Sequence, residues 1–188
     1  MQKERVSGRS NFARLALLGL LMLGVLVPHL AHAVQAQCWI YLPAHVAPLL
    51  AGLALGGPAG AAVGSAVALS EVLGGHLTPE QLVPLVCELV TYGVAAGWLS
   101  RFGRDLGSML LCLVGAQLLG RVAYLVPALA LGKPLLRSLR GLFLAPWPGL
   151  LLQLTLLPIV ALWLARRARP AQVPASQSIA KLRIATPE

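Results

Sequence analysis

The sequence predicts an all-α membrane protein: a bundle of six transmembrane helices with both termini in the cytoplasm. Of its 188 residues, 57% are hydrophobic and only 11% are charged, whereas about a quarter of the residues in a soluble domain are charged. Residues 15–70 form a run of 56 residues without Asp, Glu, Lys or Arg. One bilayer-spanning helix needs about 20 predominantly apolar residues. These observations exclude a soluble enzyme, a nucleic-acid-binding domain and a disordered chain.

The basic residues indicate how the chain is oriented in the membrane. The formal net charge is +9, and four basic residues precede the first apolar run, two lie at 101–104 and five follow the last run. Basic residues that cluster at the ends of spans mark the cytoplasmic side. Nucleic-acid binding requires a basic face interleaved with aromatic residues, and the sequence has none. We therefore expect cytoplasmic segments at residues 1–13 and 167–188, the second of them disordered, and no nucleic-acid partner.

Between these segments, residues 14–166 divide into six apolar stretches. The predicted helices cover residues 14–34, 44–55, 59–73, 80–100, 106–131 and 147–165. The second and third are short and form a hairpin around Gly56-Gly57-Pro58, so one of them could tilt or cross incompletely. The first 36 residues also resemble a secretory signal with a small-residue cleavage site. We favour an uncleaved helix, because removal would leave five crossings and disturb the charge pattern.

Lys133, Arg137 and Arg140 are an exception, because this arrangement puts them on the outer side. They could form an amphipathic turn at the membrane surface, or part of an entrance for an anionic ligand. We favour the surface turn, since basic helices that lie on the membrane are common.

Glycines predict how the helices pack. Gly52, Gly56, Gly60 and Gly64 recur at every fourth residue of the hairpin, and the pair 93 and 97 repeats this spacing in the fourth helix. Helices in lipid associate by close backbone approach, which small residues at this spacing permit. The pattern predicts a compact bundle and identifies no chemistry.

Two ionisable residues within the spans are candidates for function, because a charge in hydrocarbon is costly. Glu88 lies about 10 Å below the outer end of the fourth helix, and Arg121 lies about 15 Å below that of the fifth. These depths bring the two side chains within reach of each other, so we expect an ion pair. Four further residues add polar groups to the same outer half of the bundle: Tyr92, Gln117, Tyr124 and Gln153. The cluster is either a buried salt bridge that fixes the fold or a polar cavity open to the outside, and we favour the cavity.

Trp39, Tyr41 and His45 are expected at the outer rim, where they could cover such a cavity, although aromatic residues also collect at membrane interfaces without a function. The four histidines lack paired ligand spacing, and the three cysteines lack a Cys-x-x-Cys pattern, so we expect no metal site and no cofactor. No Gly-x-Ser-x-Gly, His-Glu-x-x-His or P-loop motif occurs, so we expect no catalytic residues and no enzymatic activity.

Five motifs in order resemble the substrate-binding (S) component of energy-coupling factor (ECF) transporters, over about residues 14–167. They are Pro43-Ala-His45, Gly57-Pro58-Ala-Gly60, Glu88-Leu-Val-Thr-Tyr92-Gly93, Gly120-Arg121, and Pro148-Gly149 followed by Gln153 and Pro158. The strict Ala-xxx-Ala contact of that family on helix one is not reproduced, because Ala13, Ala16 and Gly19 are three residues apart.

The resemblance implies a multi-pass protein of the prokaryotic cell (inner) membrane that captures a vitamin or related micronutrient from outside. It further implies a transmembrane coupling component and two cytoplasmic ATPases as partners, and delivery of the ligand by toppling of the bundle. The binding site would lie under the loop after helix one. The alternative is a membrane scaffold or morphogenesis protein in which the Glu88–Arg121 pair is purely structural.

Overall fold

A computed structural model describes residues 2–34, 41–103, 105–144 and 146–168, with side chains described from Asn11 onward. Within these ranges the chain is all-helical. Seven α-helices follow one another, with a π-helical turn at Arg140–Leu144 between the last two. They are α1 Gln2–Ala33, α2 Pro43–Leu55, α3 Gly57–Leu73, α4 Pro79–Leu99, α5 Leu106–Ala130, α6 Leu135–Leu139 and α7 Trp147–Ala168.

Four helices are long and apolar enough to cross a membrane, which indicates a membrane protein. These spans are Asn11–Ala33 of α1, all of α4 and α5, and Trp147–Arg167 of α7. The predicted second and third spans correspond to α2 and α3, which have 13 and 17 residues. They are therefore shorter than the roughly 20 residues of a full crossing. The helix α1 begins at Gln2, twelve residues before the predicted start of the first span.

Local signals set several helix boundaries. The backbone N–H of Thr78 donates to Oε1 of Gln81 at 3.0 Å, and Pro79 occupies the first position of α4, where its missing N–H costs nothing. The Asp105 carboxylate accepts the backbone N–H of Ser108 at 3.1 Å and so caps α5. Hydrogen bonds from the hydroxyl and backbone of Ser108 lower the pKa of Asp105. Between α2 and α3, Gly56 has φ +108°, a conformation that favours glycine.

Glycines bring the backbones of α2, α3 and α4 into direct contact, as their spacing predicts. A Cβ atom on Gly93 would overlap the backbone of Gly60, and one on Gly52 would overlap the carbonyl of Gly93. A Cβ on Gly64 would lie 2.6 Å from the Leu89 carbonyl oxygen. Because position 60 faces 93 and position 64 faces 89, α3 and α4 are antiparallel. The helix α2, of which nine residues are buried, is the central helix and packs against α1, α3, α4 and α7.

We call the end of the bundle where α2 and α4 begin and α3 and α5 end the upper end, and the end at Gly56 and Ser100 the lower end. Large apolar side chains cover the outside of the long helices, as expected for contact with lipid. Examples are Leu15, Met22 and Leu30 on α1, Leu111 and Val122 on α5, and Leu156 and Ile159 on α7.

Candidate ligand-binding cavity

The upper half of the bundle holds a buried cluster centred on the Glu88 carboxylate. Its Oε1 accepts hydrogen bonds from Nη1 of Arg121 at 2.7 Å and from the hydroxyl of Tyr92 at 2.9 Å. Nε2 of His45 lies 3.4 Å from the same oxygen. Glu88 and Arg121 are only 2% and 4% exposed. The predicted ion pair is therefore confirmed, and three helices, α2, α4 and α5, contribute to it.

Helical spacing and one glycine explain why these groups meet. Glu88 and Tyr92 are four residues apart on α4, so their side chains share one face of the helix. Gly120 of α5 lies against the Tyr92 ring, which a Cβ atom at that position would overlap. This close approach places the next residue, Arg121, beside Glu88 across the helix pair.

A second set of hydrogen bonds lies next to the first and links α5 to α7. Nε2 of Gln117 donates to Oε1 of Gln153 at 2.9 Å. Nε2 of Gln153 in turn donates to the Leu42 carbonyl at 3.3 Å. Both glutamines are buried, and each satisfies a polar group of the other, as buried amides require.

A cavity of about 540 Å³ opens at the upper end directly above the Glu88 cluster. Its volume lies within the roughly 300–1,000 Å³ that is usual for small-molecule sites. Residues from α2, α4 and α5 line one side, and the segment after α5 forms the other. The lining residues are Leu42, His45, Gln81, Glu88, Arg121, Tyr124, Lys133, Pro134, Arg137, Ser138, Gly141 and Leu142.

The charge of this lining is predominantly positive. Arg121, Lys133 and Arg137 contribute three cations, against the single carboxylate of Glu88. Nζ of Lys133 lies 5.8 Å from the centre of the Tyr124 ring, within the range of a cation–π contact. The arrangement can hold an anion or a polar molecule, and among the described residues it offers no nucleophile paired with a base.

The nine predicted site residues are distributed unevenly around the cavity. His45, Glu88, Arg121 and Tyr124 line it. Tyr92 lies behind Glu88, and the Gln117–Gln153 pair is not part of the wall. Tyr41 is 54% exposed and is not among the residues that line the cavity, so a role in covering the opening stays a prediction. Tyr41 comes before the start of α2 in the chain, and its side chain lies at the surface of the bundle. Trp39 lies outside the described residues.

The second wall comes from the segment for which the sequence left two interpretations open. Lys133 and Arg137 line the cavity, which is the position that the less favoured interpretation, an entrance to the site, requires. The segment has features of both interpretations. Leu135 and Leu136 of α6 are exposed, as a turn at the membrane surface requires, whereas Leu142 is buried against the bundle. The signal was the excess of positive charge on the outer side, which the positive-inside rule leaves unexplained.

A separate polar cluster joins α1 to the end of α3. Nε2 of His32 lies 3.3 Å from Oε2 of the buried Glu71. The His76 ring stacks on His32 with a centroid separation of 4.1 Å, and the His29 ring meets His76 edge-on at 4.7 Å. In the described part of the chain, no group of three or more His, Cys, Asp or Glu side chains has the geometry to hold a metal ion.

Comparisons of the chain with protein families, curated proteins and solved structures find no match. The geometry of the cavity and the sequence motifs are therefore what indicate the function.

Proposed function

We propose that this protein is a membrane-embedded capture subunit, the S component of an ECF-type importer, which takes up a vitamin or related micronutrient from outside the cell. The observation that carries the proposal is the polar cavity of about 540 Å³ at the upper end, with Glu88, Arg121 and His45 at its base. An ion pair that served only stability would not require an open cavity above it.

The cost of the buried charges supports a binding role. An ionisable residue within a membrane span is expensive and usually marks a ligand or ion pathway. A buried pair can often be replaced by apolar residues without loss of stability. The presence of three ionisable groups around one carboxylate oxygen of Glu88 is therefore better explained by ligand binding than by folding alone.

The proposal includes the arrangement of the chain in the membrane. The four long helices and the α2–α3 hairpin act as six spans, with both termini in the cytoplasm and the upper end outside. The basic N-terminal segment and Arg166 and Arg167 then lie inside, in agreement with the positive-inside rule. A transmembrane coupling component and two cytoplasmic ATPases supply the energy, because the sequence has no P-loop of its own.

A ligand screen tests this function. The full chain, purified in detergent, is heated with each member of a panel of vitamins and corrinoids. A ligand at 100 times its Kd should stabilise the folded state by about 2.7 kcal/mol, because only that state binds it. Glu88→Ala and Arg121→Ala should abolish the shift, whereas Arg101→Gln, an exposed arginine at the lower end, should retain it. Absence of a shift with every compound contradicts the proposal, as does a shift that both alanine variants retain.

Co-purification separates this function from the alternative of a scaffold. An S component should be isolated with a coupling component and a pair of ATPases. A morphogenesis scaffold should instead be isolated with cell-wall proteins, and its stability should not respond to any micronutrient.

A further inference from the structure

We propose that the captured ligand is an anion, and that its carboxylate or phosphate is bound between Arg121 and the cationic pair Lys133 and Arg137. This inference deepens the proposed function and rests on it, since it names the chemical class of the molecule that the cavity takes.

The Arg121 guanidinium has an edge that makes no hydrogen bond within the described residues. Glu88 occupies only Nη1. Nε and Nη2, which together form the side-on edge of the guanidinium, are buried and have no hydrogen-bond partner among the described residues. A buried donor without a partner destabilises the folded state, and a charged one does so more strongly. This edge presents two parallel N–H groups, which is the geometry that binds a carboxylate or phosphate through two hydrogen bonds.

The opposite wall of the cavity is positively charged. Lys133 and Arg137 line the cavity, and no carboxylate among the described residues forms a salt bridge with either of them. Glu88, the carboxylate in the lining, already contacts Arg121, Tyr92 and His45 through one oxygen. Lys133 is half-buried and Arg137 is exposed at the opening, and a neutral or cationic ligand would leave both of them without a counter-charge. An anion supplies that counter-charge, and Arg121 lines the same cavity.

The shape of the segment after α5 supports the same conclusion. Leu142 is buried and also lines the cavity, so it anchors the π-helical turn against the bundle. This anchor fixes the preceding residues, including Arg137, over the opening. Arg140 in the same segment is exposed and does not line the cavity, which makes it a matched control for Arg137.

The test compares anions with neutral compounds of almost the same shape. The full chain is placed in nanodiscs of phosphatidylcholine, and binding is measured by calorimetry and by thermal shift. The probes are nicotinate and nicotinamide, pantothenate and pantothenol, biotin and biotin amide, pyridoxal phosphate and pyridoxal, and inorganic phosphate. We expect the anionic member of at least one pair to bind at least tenfold more tightly than its neutral partner, as loss of a charge-assisted hydrogen bond predicts.

Variants of the outer wall keep the test valid even where changes at Arg121 prevent folding. Lys133→Gln and Arg137→Gln should each weaken binding of the anion about tenfold or more and should leave binding of the neutral compound unchanged. Arg140→Gln should bind the anion like the parent protein. Equal loss in Arg137→Gln and Arg140→Gln would indicate a general surface-charge effect and overturn the inference.

Three further outcomes separate this inference from the proposed function. Tight binding of a neutral compound whose anionic counterpart binds no more tightly overturns the anion inference and leaves capture intact. Stabilisation only in nanodiscs that contain phosphatidylglycerol, with the same variant pattern, supports the anion site but assigns it to a lipid headgroup and contradicts micronutrient capture. No binding of any probe in either lipid overturns both.

Discussion

Glu88 is the residue on which the buried polar groups converge, and it gives the sharpest prediction about stability. Glu88→Gln leaves the Arg121 guanidinium buried without a counter-charge, so we expect a loss of about 3–5 kcal/mol in the free energy of unfolding. Adding Arg121→Met in the same chain should recover much of this loss, because both charges are then absent. Reversible unfolding in mixed detergent micelles measures the four members of this double-mutant cycle.

Arg101→Gln is the control, since the side chain is exposed at the lower end and surface changes usually stay within about 0.5 kcal/mol. A Glu88→Gln variant as stable as this control would show that the ion pair contributes little to the fold.

At the residue scale, the sequence predicted the contacts that helical geometry determines, but it left open the position of residues that lie in a connection between two helices. The Glu88–Arg121 pair followed from depth along two antiparallel helices. The position of Arg137 on the cavity wall depends on how the π-helical turn packs through Leu142, which no spacing in the sequence specifies. The Gln117–Gln153 contact shows the same limit. Both residues were predicted as polar groups of the site, but their partner in the structure is each other.

At the element scale, the backbones of α3 and α4 are in direct contact at Gly60 and Gly93, and this contact is open to a direct test. Gly93→Ala places a methyl group against the backbone of Gly60, which cannot yield as a flexible side chain can. We expect a loss of about 1–3 kcal/mol, as is usual for overpacking, measured by the same unfolding assay.

Gly19→Ala on α1 is the matched control, because no atom lies within 4 Å of the added Cβ. Alanine is favoured over glycine in a helix by about 1 kcal/mol, so this variant should be as stable as the parent or more so. If both substitutions had the same effect, helix propensity rather than packing would explain the glycine pattern.

The spacing of the hairpin glycines predicted this contact because a four-residue repeat keeps small residues on one face of a helix. Helix bounds were predicted closely for the same reason that apolar runs end at polar or glycine breaks: the short stretches 44–55 and 59–73 correspond to Pro43–Leu55 and Gly57–Leu73. The exception is α1, which begins at Gln2, because the polar segment before the apolar run continues the helix and composition assigned it to a tail.

At the scale of the whole molecule, the orientation in the membrane is the main prediction. Leu136 and Phe102 are 73% and 76% exposed and lie at opposite ends of the bundle. In a chain whose native cysteines are replaced by alanine, Leu136→Cys should react with a membrane-impermeant maleimide in intact cells. Phe102→Cys should react only after the membrane is opened. Labelling of both in intact cells would contradict six spans with cytoplasmic termini.

The short α2–α3 hairpin gives the molecule two unequal hydrophobic heights. At 1.5 Å per residue, α3 is about 25 Å long and α5 about 37 Å, on either side of the roughly 30 Å of a typical hydrocarbon core. In the proposed six-span arrangement, lipids beside α3 would compress, at a cost of a fraction of a kcal/mol per ångström. The melting temperature should accordingly fall as the phosphatidylcholine acyl chains are lengthened from 14 to 22 carbons. In that arrangement the shell of lipid around α3 is thinner than the surrounding bilayer, so the protein should be most stable in thin membranes.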